Sequence, residues 1–282
     1  MNNRFFGHDL ISVDSLKRDD VELLFQETGK MEKLVKDKGG DKKLEGKIIA
    51  ALFYEPSSRT FSSFITAIQR LGGGFIPLNG MMNTSVAKGE SFADTVKVFS
   101  AYSDLLVIRH PQEGTPKLAA EYSNVPVINA GDGSTGEHPT QALVDLYTIK
   151  EHFGEVNKLQ ILMVGDLAHY RPTNSLAKLL TLYPDIQLSF AAPEQVSLPK
   201  HIREFLAERK ISFREYTDYK KILPQVDVLY VTRVKKEYMS EELYRQVQGS
   251  YIIDRSVVEC MKNNSIIMHC LPRVGEIETS VD

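Results

Sequence analysis

Short runs of apolar, often β-branched residues alternate along the chain with stretches in which apolar residues recur at helical spacing. Seven such runs have the length of strands: 48–54, 105–108, 125–128, 159–164, 186–190, 226–231 and 266–268. Strands that are apolar on both faces are typical of a parallel sheet covered by helices on both sides. The alternation therefore predicts βαβ units and an α/β fold.

Three of the intervening stretches have recognisable helix ends. An apolar stripe over residues 21–34 follows acidic residues that favour a helix N-terminus, and glycine ends it at Gly39. A second stripe over 61–71 stops at the glycines 72–74, and a third helix is predicted over 139–153. Each stripe is best explained by burial against a core, because a surface helix must bury one face.

A chain of 282 residues is long enough for two domains. We predict two doubly wound domains, each a parallel sheet covered by helices: a first over residues 1–135, a linking helix over 136–150, and a second over 151–282. Open parallel sheets usually bind ligands at the carboxyl ends of their strands. We therefore expect the active site in a cleft between the domains.

Composition narrows the class of protein. Hydrophobic residues make up 42% and charged residues 25%, which excludes wholesale disorder and a collagen-like repeat. The formal charge of −3 offers no general field for nucleic acid, so an anion site must be local. No apolar run approaches the roughly 18 residues of a membrane span. The two cysteines, Cys260 and Cys270, fit neither a disulfide framework nor a metal site, and we expect a cytoplasmic protein.

The strongest local signal lies between the first predicted strand and the helix that follows it. Backbone N–H groups at a helix start point towards one locus, to which this segment adds three hydroxyls and one guanidinium: Ser57, Ser58, Arg59 and Thr60. Such a set is suited to a phosphate group. The structural alternative is a cluster of helix-capping residues, since Ser and Thr favour helix starts.

Further polar residues follow other predicted strands, and their shared position suggests anion-binding groups in both domains. They are Arg109, His138, Arg171 and Arg233. Taken singly, each is more simply a solvated or structural residue. The Gly165-Asp166 pair is not followed by a dinucleotide or P-loop pattern, so neither a nicotinamide nor an ATP site is indicated, and no cofactor is expected.

Two other segments allow more than one interpretation. Lys88 lies in a polar loop that is either a surface loop or an arm lending a cation to a site. The Leu271–Pro272 bond follows a predicted strand; a cis bond would turn the Leu271 carbonyl towards a ligand, although X-Pro bonds are usually trans. Adjacent side chains on a strand point to opposite faces, so His269 and Cys270 are not expected to form a catalytic pair.

Together these motifs resemble the carbamoyltransferase family, and within it the members that use aspartate. The resemblance runs from about residue 8 to the end and rests on these segments, in order: Ser57-Ser58-Arg59-Thr60, Arg109-His110-Pro111-Gln112-Glu113, His138-Pro139-Thr140-Gln141-Ala142-Leu143, Val164-Gly165-Asp166-Leu167, Thr232-Arg233-Val234 and His269-Cys270-Leu271-Pro272-Arg273. It implies transfer of a carbamoyl group from carbamoyl phosphate to L-aspartate in de novo pyrimidine biosynthesis.

The resemblance also implies roles for individual residues. Phosphate would be held by Ser57, Ser58, Arg59, Thr60 and Arg109. Thr60, Arg109 and His138 would face the carbamoyl oxygen, and Gln141 with the carbonyls of Leu271 and Pro272 would face the carbamoyl NH2. Aspartate would be held by Lys88, Arg171, Arg233 and Lys235. In the family, the loop of Ser85 and Lys88 enters a neighbouring subunit's site, which implies a homotrimer; no metal or cofactor is required, and nothing indicates whether a regulatory chain is bound.

The sequence departs from the family pattern in three places. Lys235 stands where many members have glutamine, and Tyr238 where some have an arginine that links the domains in the closed state. The lysine is expected to alter aspartate affinity, and closure is expected to be stabilised differently. The family ordinarily continues past the position of Asp282 with a terminal helix on the first domain, which this sequence does not include.

Two alternatives remain. An ornithine carbamoyltransferase is suggested by His269-Cys270-Leu271-Pro272, the form that those enzymes favour, but Arg171, Arg233 and Lys235 have the wrong charge for a cationic side chain. A non-catalytic binding paralogue would have no need for so many donors at strand ends.

Overall fold

The computed structural model describes residues 4–282, apart from the side chain of Glu237. The chain divides into two compact units, Met1–Thr140 and Gln141–Asp282. This division falls within the helix Pro139–Phe153, near the start of the linking helix expected over 136–150. The predicted domain limits themselves stay predictions.

The first unit is a four-stranded parallel sheet in the order β2-β1-β3-β4. Its strands are β1 (Ile48–Phe53), β2 (Gly74–Asn79), β3 (Leu105–His110) and β4 (Val127–Asp132). Its helices are α1 (Arg18–Lys38), α2 (Arg59–Arg70), α3 (Phe92–Tyr102) and α4 (Thr115–Tyr122), and α5 (Pro139–Phe153) begins at its end.

Successive side chains of β1 enter two separate hydrophobic clusters. Ala50 and Leu52 pack into one cluster, whereas Ile49, Ala51 and Phe53 pack into the other. Because side chains alternate along a strand, a run that is apolar at every position serves a sheet buried on both faces. This explains why β1 reads as a continuous apolar run.

The second unit is a five-stranded parallel sheet in the order β7-β6-β5-β8-β9. Its strands are β5 (Gln160–Val164), β6 (Gln187–Ala191), β7 (Phe213–Tyr216), β8 (Val228–Val231) and β9 (Ile266–Met268). Its helices are α6 (Arg171–Leu180), α7 (Lys200–Glu208), α8 (Glu241–Val247) and α9 (Arg255–Glu259). Within residues 4–282, no helix combines the length and the apolar character that crossing a membrane requires.

The α/β prediction of two parallel sheets covered by helices is confirmed, as are the three predicted helices. All seven apolar runs contain or overlap strands, but β2 and β7 were not predicted. Both lie at a sheet edge, and neither has a fully buried position. The strands at the opposite edges, β4 and β9, have buried positions and a recognisable apolar run, whereas β2 and β7 are too exposed to need one.

In each sheet the strand order reverses at one point, which is where open α/β sheets bind ligands. The reversal falls between β1 and β3 in the first unit and between β5 and β8 in the second. At the second reversal, Gly165 has φ of +117°, and a β-carbon there would lie 2.4 Å from the Thr232 carbonyl oxygen. Only glycine allows the two chain segments to approach so closely.

Candidate functional site

The segment that follows β1 carries the predicted phosphate-binding residues at the start of α2. Ser58 occupies the cap position and Arg59 is the first helical residue. The Ser57 amide donates to Asn79 Oδ1 at 3.0 Å, and Asn79 Nδ2 donates to the Ser57 carbonyl at 3.3 Å, so the loop is fixed to the end of β2. The Ser58 side chain makes no capping hydrogen bond, which weakens the purely structural explanation of the serines.

Arg109 lies beside this segment because β1 and β3 are neighbours. It pairs with Phe53 in the sheet register, and its carbonyl oxygen accepts a hydrogen bond from the Tyr54 amide at 2.8 Å. Its Nε atom donates to Glu55 Oε2 at 3.1 Å, which directs the guanidinium along the loop after β1. Arg109 and the loop that carries Ser57 therefore meet at the strand-order reversal of the first unit.

His138 is placed by the loop that follows β4. The Asp132 amide donates to the Glu137 carbonyl at 3.0 Å and so closes this loop. The Glu137 carboxylate accepts a hydrogen bond from the Val13 amide at 2.7 Å, which fastens the loop to the N-terminal segment. His138 is buried, with 6% of its surface exposed, directly before α5. The loop that carries His138 is therefore fixed at both ends.

His110, next to Arg109 in sequence, is half-buried in the first unit and stabilises the loop after β3. Its ring packs against Tyr54 and Phe92, with centroid distances of 4.6 and 5.5 Å. Its Nδ1 atom accepts a hydrogen bond from the Gln112 amide at 3.0 Å, and burial lowers the pKa of the imidazole. A neutral, packed histidine supports the loop that continues from Arg109.

Ser85 and Lys88 lie on a single turn of 3-10 helix between β2 and α3, and both are exposed in the single chain. The Thr84 side chain accepts a hydrogen bond from the Val86 amide and begins the turn. The turn therefore offers a hydroxyl and an ammonium group at the surface of the first unit.

In the second unit, buried Asp166 after the end of β5 joins the two loops that carry the predicted residues. Its Oδ1 atom accepts from the His169 amide at 3.0 Å, and its Oδ2 atom accepts from the Lys235 amide at 3.3 Å. These bonds tie the loop after β5 to the loop after β8. Arg171 begins α6 from one of these loops and is only 3% exposed, whereas half-buried Arg233 lies in the other.

A cavity of 590 Å³ opens at the strand-order reversal of the second unit. Its lining includes Gly165 from the end of β5, Thr232 and Arg233 from the end of β8, and Glu276. Arg233 therefore presents a cation to a space large enough for a small amino acid.

Lys235 is held between two aromatic rings. Its Nζ atom lies 5.0 Å from the ring centroids of both Tyr170 and Tyr238, and only 8% of the residue is exposed. Aromatic faces attract an ammonium group. The lysine is thus a positioned cation, and Tyr238, which the sequence singled out only in connection with domain closure, is one of the two rings that hold it.

Gln141 lies in the first turn of α5 and contacts the same helix one turn further on. Its Nε2 atom donates to Asp145 Oδ1 at 2.9 Å, and the Tyr230 hydroxyl donates to Asp145 Oδ2 at 2.8 Å. Asp145 is 5% exposed, and Tyr230 is fully buried in β8.

The segment after β9 contains one peptide bond whose geometry differs from the one that the sequence favoured. The Leu271–Pro272 peptide is cis, whereas the sequence favoured trans. The Leu271 amide donates to His269 Nδ1 at 2.8 Å, and His269 Nε2 lies 2.8 Å from Glu276 Oε1. Cys270 Sγ instead lies 3.2 Å from the Tyr170 hydroxyl, so the histidine and the cysteine have different partners.

Several residues that shape these sites were not singled out from the sequence. Glu55 directs Arg109, Asn79 fixes the loop of Ser57, and Asp145 contacts Gln141. Only the last had a sequence signal, because residues four apart lie on one helix face. Among residues 4–282, no group of three or more His, Cys, Asp or Glu side chains is arranged to hold a metal ion.

Comparison with known proteins shows similarity along nearly the whole chain. The carbamoyl-P binding domain of aspartate/ornithine carbamoyltransferases matches residues 8–151, and the Asp/Orn binding domain matches residues 157–282. The aspartate carbamoyltransferase catalytic subunit of Thermococcus gammatolerans is 46% identical over 277 residues, which are 98% of this chain and 89% of the relative.

Two solved structures are similar throughout. The catalytic subunit of M. jannaschii aspartate transcarbamoylase has a TM-score of 0.88 and 46% identity, covering 97% of this chain and 89% of that one. Aspartate transcarbamoylase from Trypanosoma cruzi, in complex with carbamoyl phosphate and aspartate, has a TM-score of 0.91 and 33% identity, covering 98% and 88%. The chain therefore belongs to the aspartate/ornithine carbamoyltransferase family.

Proposed function

We propose that this chain transfers the carbamoyl group of carbamoyl phosphate to the amine of L-aspartate, giving N-carbamoyl-L-aspartate and phosphate. The observation that carries the proposal is the meeting of Arg109 with the loop and helix start of residues 57–60 at the strand-order reversal of the first unit. The solved relative that holds carbamoyl phosphate and aspartate supports the same substrates.

Carbamoyl phosphate is assigned to the phosphate-binding segment after β1, together with the residues that face its carbamoyl group. Its phosphate accepts hydrogen bonds from the hydroxyls of Ser57, Ser58 and Thr60 and from the backbone amides of Ser58 and Thr60, and it forms ion pairs with Arg59 and Arg109. Thr60, Arg109 and His138 face the carbamoyl oxygen. Gln141 and the carbonyls of Leu271 and Pro272 accept hydrogen bonds from the carbamoyl NH2.

The reaction needs no nucleophile from the protein. The aspartate amine attacks the carbamoyl carbon, and the tetrahedral intermediate carries an oxyanion where the carbonyl oxygen was. Arg109, Thr60 and His138 donate to that oxygen more strongly as its charge grows, which lowers the barrier rather than merely tightening substrate binding. Collapse of the intermediate breaks the carbon–oxygen bond to phosphate, the proton lost by the attacking nitrogen is transferred to the departing phosphate, and Arg59 stabilises that leaving anion.

The second unit favours a dicarboxylic amino acid. Arg171 and Arg233 bind the two carboxylates, and Lys235 adds a cation held by Tyr170 and Tyr238. Lys88 contributes a further positive charge to the aspartate. A cationic ornithine side chain would be repelled by this set.

We expect product formation with carbamoyl phosphate and L-aspartate, and none above background with L-ornithine. The physical reason is charge: each cation that attracts a carboxylate repels the ammonium group of ornithine. Colorimetric detection of the carbamoylated product, with each amino acid in turn, makes the comparison. Turnover of ornithine without turnover of aspartate would overturn the assignment.

The active unit is proposed to be a homotrimer with shared sites. Ser85 and Lys88 are exposed on their turn, where they are available to a neighbouring subunit. In this arrangement each site takes its phosphate-binding groups from one subunit and the Ser85 and Lys88 turn from the next. The two cysteines are free thiols, which supports a reducing compartment such as the cytoplasm, where pyrimidine biosynthesis would use the product.

Mixing two inactive variants tests the sharing of sites. Lys88→Ala and Arg59→Ala subunits, unfolded together and refolded as hybrids, are expected to recover part of the wild-type activity, because some sites then receive both intact residues. Each variant refolded alone serves as the control. A mixture as inactive as its components, despite hybrid formation by native mass spectrometry, would contradict shared sites.

A further inference from the structure

Asp145 is a buried carboxyl group with two hydrogen-bond donors and no predicted role. It lies on α5, one turn after Gln141, and accepts from Gln141 Nε2 at 2.9 Å and from the Tyr230 hydroxyl at 2.8 Å. Burial raises the pKa of Tyr230 well above its ordinary value, and the nearby Asp145 raises it further. The Tyr230 hydroxyl therefore keeps its proton and acts as a donor.

These contacts fix which end of the Gln141 amide faces which way. An ionised carboxylate can only accept hydrogen bonds, so the NH2 end of the amide must face Asp145. The amide oxygen then points away from Asp145. In this orientation the Gln141 amide oxygen can accept a hydrogen bond from the carbamoyl NH2. In the opposite orientation two NH2 groups would face each other, and neither could accept.

We propose that Asp145 is a positioning residue that sets the orientation of the Gln141 amide, and that this orientation lets the enzyme distinguish a carbamoyl group from an acyl group without an NH2. Tyr230 holds Asp145 in place from β8. The inference rests on the proposed function, since it assigns Gln141 to carbamoyl phosphate.

The same arrangement makes the discrimination depend on pH. Burial raises the pKa of Asp145 to about 7, although hydrogen bonds from Tyr230 and Gln141 oppose the increase. Above this pH the carboxylate accepts from the Gln141 NH2. Below it the carboxyl group is protonated and can donate, which favours the amide turned over, with its oxygen towards Asp145 and its NH2 towards the substrate.

Tyr230, Cys270 and Tyr170 around Asp145 stay neutral near pH 7, and the ammonium group of Lys235 stands beyond them on the ring of Tyr170. Tyr230 faces Asp145 from β8, and Cys270 lies nearby in the segment after β9, with its thiol against Tyr170 from the loop before α6. Burial raises the pKa of Cys270, and burial followed by the effect of Cys270 raises that of Tyr170. A transition near neutral pH is therefore assigned to Asp145.

The test compares carbamoyl phosphate with acetyl phosphate, in which a methyl group replaces the NH2. The full chain is used, and each Kd is measured by competition at pH 8. We expect Asp145→Ala to reduce the preference for carbamoyl phosphate about tenfold, the size of one hydrogen bond, with the Kd of acetyl phosphate changed less than about twofold. Gln141→Ala should lose the same preference, and the double variant should lose no more.

A second variant covers the case in which Asp145→Ala does not fold. Tyr230→Phe keeps the buried ring but removes a hydrogen bond that lowers the pKa of Asp145, so the pH at which the preference is lost should move upward. The ratio of the two Kd values is followed from pH 5.5 to 8.5, because effects common to both phosphates cancel in the ratio. The wild-type ratio is expected to fall below about pH 7.

Three results would overturn the inference. The first is an equal loss of affinity for both phosphates in Asp145→Ala, and the second is a double variant whose loss of preference is the sum of the two single losses. The third is a Tyr230→Phe variant in which the pH midpoint of the Kd ratio is the same as in the wild type. Failure of the proposed function would give a different set of results. In that case the wild-type protein neither binds carbamoyl phosphate nor carbamoylates aspartate, whereas failure of the inference leaves both intact.

Discussion

Replacing Arg59 with alanine is expected to lower kcat/KM for carbamoyl transfer by about 10²–10³, the usual cost of losing one positioned donor to a developing charge. Arg59 is the first residue of α2 and is exposed, so its removal leaves no buried cavity, and alanine favours the helix. Steady-state kinetics with both substrates varied gives the loss, and thermal unfolding shows whether the fold persists. The Tm should stay within a few degrees of wild type.

Two further variants show whether the loss of activity comes from the charge of Arg59 or from the shape of its guanidinium group. Arg59→Lys keeps the charge but not the planar fork, and it should recover only part of the activity. Lys36→Ala removes a positive charge from an exposed ion pair with Glu32 on α1 and should leave the kinetics unchanged. Turnover in Arg59→Ala equal to wild type would exclude the phosphate role of this arginine.

Replacing Arg233 with alanine is expected to raise KM for aspartate strongly and to lower kcat/KM about 100-fold. A bidentate pair between a guanidinium and a carboxylate contributes two charge-assisted hydrogen bonds, together about 3 kcal/mol. Arg233 lines the cavity of the second unit and is half-buried, so its removal enlarges a space that already exists. The Kd of carbamoyl phosphate alone, measured by calorimetry, should change little.

The matched control for this variant is Lys200→Ala. Lys200 lies on α7 in the same unit, pairs with Glu204 at 3.4 Å, and is highly exposed, so its loss should affect neither substrate. If Arg233→Ala weakened carbamoyl phosphate as much as aspartate, or left the KM for aspartate at its wild-type value, the assignment of Arg233 to the amino acid would be wrong.

The sequence alone predicted every described strand except β2 and β7, and it supplied the residues of the proposed site as predictions. Strands such as β1 and β8 are buried on both faces, so every position must be apolar and the strand is visible without any neighbour. Residues 57–60, Arg109 and Arg233 could be found because the ends of parallel strands are where polar groups gather around a ligand. Family resemblance then gave each of them a role.

Tertiary structure decided what depends on partners distant in the chain. β2 and β7 form by pairing with strands that cover only one of their edges, and their own residues carry a weak pattern. The two rings around Lys235 and the contact of Tyr230 with Asp145, 85 positions apart, come from loops and strands brought together by folding. Periodicity reports which face of an element is buried, whereas a polar contact depends on which other element that face meets.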